Sequence, residues 1–220
     1  MLASPQWWIY ILVLVLTIFQ KHLLTVDKNH FFNPSNFALI AAIALFYNET
    51  HIITGQLGEQ LWLSALVVAL AVAILVRVDR WAISLVFVLS YVVLQYFMVV
   101  GYDPVMTFEM IYERFYAVSF IVFVAFMLTD PRTTPGPKVQ QIIFAIIIAA
   151  ISTYLDRVNG FRVQHLFMAL FVSSVWTPLL NAKVENRKKI LILSSILFIL
   201  AVGVIMFIEN QPPYYFEMEG

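Results

Sequence analysis

Two short polar stretches hold the side chains best able to do chemistry: Phe32-Asn33-Pro34-Ser35-Asn36 and Thr129-Asp130-Pro131-Arg132-Thr133-Thr134-Pro135. Each sets an amide or carboxylate before a proline, beside strongly apolar sequence. Such a turn has two readings. It is the composition of a helix cap, in which the side-chain oxygen accepts from first-turn N–H groups and proline fixes the turn. It is also a seat for phosphate or carboxylate, because an open helix N-terminus offers free N–H donors and partial positive charge. Asp130 either bonds nearby backbone N–H groups and Arg132 or takes a ligand or ion. Thr133 and Thr134 either bind a phosphate or satisfy the loop. Asn36 and Asn181 extend the set of polar candidates, and Glu59 belongs either to an outer cavity or to a solvated loop. His165 opens an apolar segment near Arg162 and reads as interfacial, with no second histidine at the helical spacing of a haem or zinc site.

The elements that must position these residues are membrane helices. Hydrophobic residues make up 62% of the chain and charged residues 12%, with a mean hydropathy of +0.88. Soluble domains carry roughly 25% charged residues. About eight hydrophobic stretches stand out: Trp7 to Gln20, Phe37 to Tyr47, Leu61 to Val76, Trp81 to Val100, Phe115 to Leu128, Ile142 to Tyr154, Leu166 to Leu180 and Ile190 to Ile208. Some approach the ~20 residues that cross a bilayer and others are shorter. Phe37 to Tyr47 is either a half-helix or re-entrant segment, or a full span extended by Asn48 to Thr54. The expected fold is all-α, a single polytopic transmembrane domain over residues 1–220.

Lysine and arginine concentrate in short cytoplasmic loops of membrane proteins. Alternating the loops puts Lys21, Lys28, Arg77, Arg80, Arg132, Lys138, Lys183, Arg187, Lys188 and Lys189 on one side, and Arg114, Arg157 and Arg162 on the other. The first side is then cytoplasmic, both termini lie outside, and the chain is a multi-pass protein of the inner (plasma) membrane. Both polar turns approach from the cytoplasmic face, a shared geometry that suggests a weak internal repeat. Irregular backbone beside a span is tolerated only where protein or a polar cavity covers it, which makes these turns the leading site candidates. Pro104 to Tyr116, apolar at Met106, Met110, Ile111 and Phe115 and charged at Glu109, Glu113 and Arg114, reads as an amphipathic helix on the outer surface.

Several classes are excluded. Zero formal net charge argues against nucleic acid as a partner. Without cysteine the chain holds no disulfide, iron–sulfur cluster or thiolate metal site. There is no G-x-S-x-G elbow, H-E-x-x-H or P-loop. Sparse charge within the apolar segments also weakens a proton relay through the spans.

The turns carry a resemblance as well. Phe32-Asn33-Pro34-Ser35 resembles the F-N-P-A/S turn, and Phe126 to Thr134 the F-x-x-T-D-P-x-T-x segment, of the D subunit of the Rnf electron-transport complex and the homologous B subunit of the sodium-pumping NADH:quinone oxidoreductase. Gly55-Gln56-Leu57-Gly58-Glu59, Trp81-Ala82-Ile83, Gly160-Phe161 and Phe167 to Leu180 with Asn181 are similar to further family segments, so the likeness covers about residues 29–181. It implies a helical membrane fold with two related halves around flavin sites, inside a multi-subunit complex that couples electron transfer to sodium or proton movement. On that resemblance Asn33, Asn36, Thr129, Asp130, Thr133, Thr134 and Asn181 become flavin-binding candidates, with Glu59 and Asp130 as ion or cavity residues. The family's S-G-A-T loop, whose threonine carries covalent FMN, has no counterpart here. Any flavin is therefore expected to be noncovalent FMN or riboflavin. The chain is shorter than typical family members, so half of a flavin-binding fold is expected either to be reduced or to come from another subunit. The alternative is a flavin-free channel, transporter or scaffold that retains the fold.

Overall fold

The computed structural model describes residues 1–26, 29–55, 61–102, 106–181 and 186–212. Leu2–Ala3 (β1) precedes Trp7–Leu23 (α1). The ribbon Thr25–Val26 (β2) and Asn29–His30 (β3) leads into Pro34–Leu45 (α2), and His51–Ile52 (β4) pairs back antiparallel on β1. Leu61–Arg77 (α3) and Trp81–Gln95 (α4) follow, and a π-helical turn over Tyr96–Val100 continues α4. Phe108–Phe115 (α5) is short, and Val118–Val122 (α6) runs into a second π-helical turn, Phe123–Met127. The chain continues through Lys138–Asn159 (α7), Gln164–Ser174 (α8), Thr177–Asn181 (α9) and Arg187–Glu209 (α10).

All eight apolar stretches are helical, and the fold is all-α and polytopic. Among the described residues, three helices have the length and composition to cross a bilayer: Trp81–Val100, Lys138–Asn159 and Arg187–Glu209. The 12 residues of α2 rise only about 18 Å, against a hydrocarbon core of about 30 Å. Residues 48–50 turn and 51–52 are extended, so α2 is a half-helix rather than the beginning of a full span. The expected span Leu166 to Leu180 divides into α8 and α9. Pro178 lacks the N–H that a continuous helix would direct at the Ser174 carbonyl. The amphipathic element is shorter than its sequence pattern, at Phe108–Phe115, and it turns Arg114 inward.

Helix α8 lies at the centre, with every residue from His165 to Ser174 buried. A helix apolar on all sides belongs in such an interior. In lipid, helices associate by close packing rather than by escape from water, and small residues allow that approach. Along α7 the fully buried Ala145, Ala149 and Ser152 follow helical spacing, where α7 packs on α4 and α8. Phe87, Tyr91, Phe123 and Phe167 fill the space beside them. Trp7, Phe19, Ile192 and Ile199 project outward from α1 and α10 as lipid-facing side chains.

Each π-helical turn shifts hydrogen bonding to the residue five back. Leu128 N–H reaches Phe123 O at 2.9 Å, and Gly101 N–H reaches Tyr96 O at 3.2 Å. Around the second turn the Ser84 hydroxyl of α4 donates to the Val124 carbonyl at 2.8 Å, compensating the locally disturbed backbone ladder.

Candidate functional site

The two polar turns meet. Asn33 caps α2, its Oδ1 accepting from Ser35 N–H at 3.0 Å and Asn36 N–H at 3.2 Å, while Pro34 occupies the first turn. Its Nδ2 donates to Asp130 Oδ2 at 3.1 Å. The other Asp130 oxygen accepts from Arg132 N–H at 3.0 Å. Thr134 Oγ1 closes the loop onto the Asp130 carbonyl at 2.7 Å. Arg80, just ahead of α4, donates to Thr134 Oγ1 at 3.2 Å and to the Pro135 carbonyl at 2.6 Å. Asn181, ending α9, accepts from Gly136 N–H at 3.2 Å and donates to the Thr134 carbonyl at 3.4 Å. Asn36 Nδ2 crosses to the Phe167 carbonyl of α8 at 3.1 Å.

Thus Asn33, Asn36, Asp130, Thr134 and Asn181 form one connected cluster. Thr129 is adjacent but bonds back to the Ala125 carbonyl at 2.6 Å. Thr133 is fully buried, and its hydroxyl, like Asn36 Oδ1, has no hydrogen-bond partner. Native interiors rarely leave such atoms unpaired. Glu59 lies outside the described residues.

The capping reading holds for Asn33 alone. After Asp130 the chain continues as loop to Pro137, and the start of α7 has no side-chain cap. Nor is the start of α2 an open anion seat, since Asn33 occupies the Ser35 and Asn36 donors and Pro34 has none.

His30 sits beside the cluster. Burial first, then the positive charges of Arg132 and Lys21, push its imidazole below the ordinary 6.5. Protonation therefore favours the unfolded chain. This contribution to stability is intact above pH 6.5 and is lost as pH falls through the lowered folded value. Thermal unfolding in detergent is expected to show a midpoint that drops below pH 6.5, with a smaller drop in His30→Gln. Equal pH profiles in the two proteins would remove His30 from this account.

A second polar cluster escaped the sequence reading. Near the far end of α7, about 27 Å along the helix from Lys138, Asp156 is 2% exposed. Its Oδ2 accepts from Tyr91 Oη at 3.2 Å, Gln95 Nε2 at 2.5 Å and Arg114 Nη1 at 2.9 Å. Its Oδ1 accepts from Arg162 N–H at 3.1 Å and meets His165 Nδ1 at 2.7 Å. His165 Nε2 lies 3.3 Å from Glu209 Oε1, close enough for attraction but not aligned as a hydrogen bond. Gln164 Nε2 supplies Glu209 with a bond at 2.9 Å. The Arg114 guanidinium lies over the Phe161 ring, 3.4 Å from its centre.

This network ties α4, α5, α7, α8 and α10 together. It corrects two expectations: Arg114 faces inward, and His165 is a core residue rather than interfacial. The available signal was Asp156 itself, a carboxylate just past the apolar stretch that ends at Tyr154. Among the described residues no three His, Asp or Glu side chains converge as a metal site. Two cavities, of about 300 Å³ and 200 Å³, flank Phe161; Asp156 lines the first and Arg114 the second.

These features define a polytopic helical membrane protein whose broken helices converge on a polar turn cluster. The family described as NQR2, RnfD, RnfE matches residues 13–189, and the chain belongs to it. It is a multi-pass inner-membrane protein of the class that serves as membrane subunits of electron-transport complexes. No curated protein matches the chain.

Proposed function

We propose that this chain takes part in flavin-linked electron transport, with FMN or riboflavin held noncovalently against the joined turns and electron flow coupled to cation movement. The turns face the cytoplasm and both termini lie outside. The observation that carries this reading is the pair of buried, unpartnered atoms under the turns, Thr133 Oγ1 and Asn36 Oδ1. The pyrimidine edge of an isoalloxazine ring presents one N–H donor between two carbonyl acceptors. The free Thr133 hydroxyl can donate to one of those carbonyls, and the free Asn36 Oδ1 can accept from the N–H between them. Phe32 stacks on Phe171 with ring centres 4.4 Å apart, giving the cluster an aromatic floor. Bound flavin would supply the electron chemistry; the chain's residues would hold and orient it. Because the cluster is largely closed, a neighbouring subunit completes the site from the side where Arg132 is exposed.

One observation favours the flavin-free scaffold. Asn33, Asp130, Thr134 and Asn181 already satisfy one another and nearby backbone. A visible spectrum of the protein purified in mild detergent with its companion subunits, repeated after acid precipitation, separates the readings. Flavin bands released into the supernatant are expected. In Thr133→Val, which removes an unpaired hydroxyl at nearly constant shape, flavin affinity is expected to fall about tenfold while the thermal midpoint holds or rises. A colourless intact complex would favour the scaffold.

A further inference from the structure

We infer that a groove between α7, α9 and α10 is a binding site for an anionic phospholipid. Two contiguous cavities of about 390 Å³ and 370 Å³ share Gln140, Leu179 and Leu180. The first opens beside Arg187 and Lys188. The second descends along Ile143, Phe144 and Ile147 toward Ser173 and Trp176. From Gln140 to Ile147 the groove follows one face of α7 for about 10 Å. It therefore has a cationic mouth and an apolar body parallel to a membrane helix, the shape of a headgroup with the upper part of an acyl chain.

The charge at the mouth is the reason to name an anionic occupant. Helix α10 opens on Arg187, Lys188 and Lys189, all exposed, with no acidic residue in its first turn and no side-chain cap. Three cations at the positive end of a helix oppose its dipole. Among the described residues no carboxylate forms a salt bridge with any of them. A lipid phosphate would meet the dipole and the side chains together. Basic pockets between membrane helices bind anionic headgroups in this way. Two unpartnered polar atoms, Gln140 Oε1 and Ser173 Oγ, line the same groove and suit the hydroxyl and ester groups of a glycerophospholipid.

The site is separate from the flavin proposal, although α9 joins them: Leu179 and Leu180 line the groove, while the next residue, Asn181, holds Gly136.

The test uses the full chain, stripped of lipid in neutral detergent and titrated with phosphatidylglycerol, phosphatidylcholine or inorganic phosphate. Bound lipid is read by native mass spectrometry and stability by the thermal midpoint. Phosphatidylglycerol is expected to remain bound and raise the midpoint, with little response to the other two. R187Q/K188Q, at exposed positions, is expected to lower phosphatidylglycerol affinity about 30-fold while the unliganded midpoint holds or rises, since two charges opposed to the helix dipole are removed. Equal binding of both lipids, or a double variant that binds as the parent does, overturns the proposal. So does a response to inorganic phosphate alone. A groove covered by a neighbouring subunit, seen as no lipid response in either protein, also overturns it.

Discussion

Asp156→Ala is expected to lower stability by about 3–5 kcal/mol, the largest single effect in the molecule outside gross repacking. Arg114 is 7% exposed and cannot follow solvent when its partner is lost. The substitution would also strip acceptors from Tyr91, Gln95, His165 and the Arg162 amide, four donors held by one carboxylate. Removing half of a buried ion pair is far worse than removing both charges, because the survivor is left without compensation. Arg114→Met combined with Asp156→Leu should therefore recover the part of the loss that comes from the stranded guanidinium, while the four other donors stay unpaired, and a thermal or denaturant double-mutant cycle in detergent would reveal the coupling. An alanine variant within about 1 kcal/mol of the parent would show that this network contributes little.

The second large effect is expected at Asn33. Alanine there removes the cap of α2, worth about 1 kcal/mol. It also removes the hydrogen bond to the Asp130 carboxylate, of a kind worth about 1.5–3 kcal/mol. Asn33→Ala should thus cost about 2–4 kcal/mol. Asp130→Ala should cost less than Asn33→Ala if the cap is as valuable as proposed, and the double variant should fall well short of their sum. Additive losses would mean that the two turns stand independently despite their 3.1 Å contact.

What was legible in the chain follows from which forces act locally. Hydropathy marked all eight helical stretches, because apolar runs are a property of neighbouring residues. The turns were legible for the same reason, since proline and a short polar side chain announce broken backbone wherever they occur. Their meeting was not, as the partners are 97 residues apart and depend on how α8 seats both halves. The Asp156 network was harder still. Arg114, His165 and Glu209 each stand near the end of an apolar segment, where a polar residue reads as an interface marker. Only packing shows that they share one carboxylate. The division of α8 from α9 could have been anticipated from Pro178, but the continuous hydropathy on either side masked it.

The π-helical turn at Phe123–Met127 sets helical phase. In an α-helix each residue advances the azimuth by about 100°, so the wider turn places Thr129 and Asp130 on a different bearing from an uninterrupted helix of the same length. Whether Asp130 points at Asn33 or elsewhere is decided one turn upstream. Ser84, bonded to the Val124 carbonyl, acts as the set screw on that bearing. A single-residue deletion between 123 and 127 would redirect the site without altering any side chain that builds it.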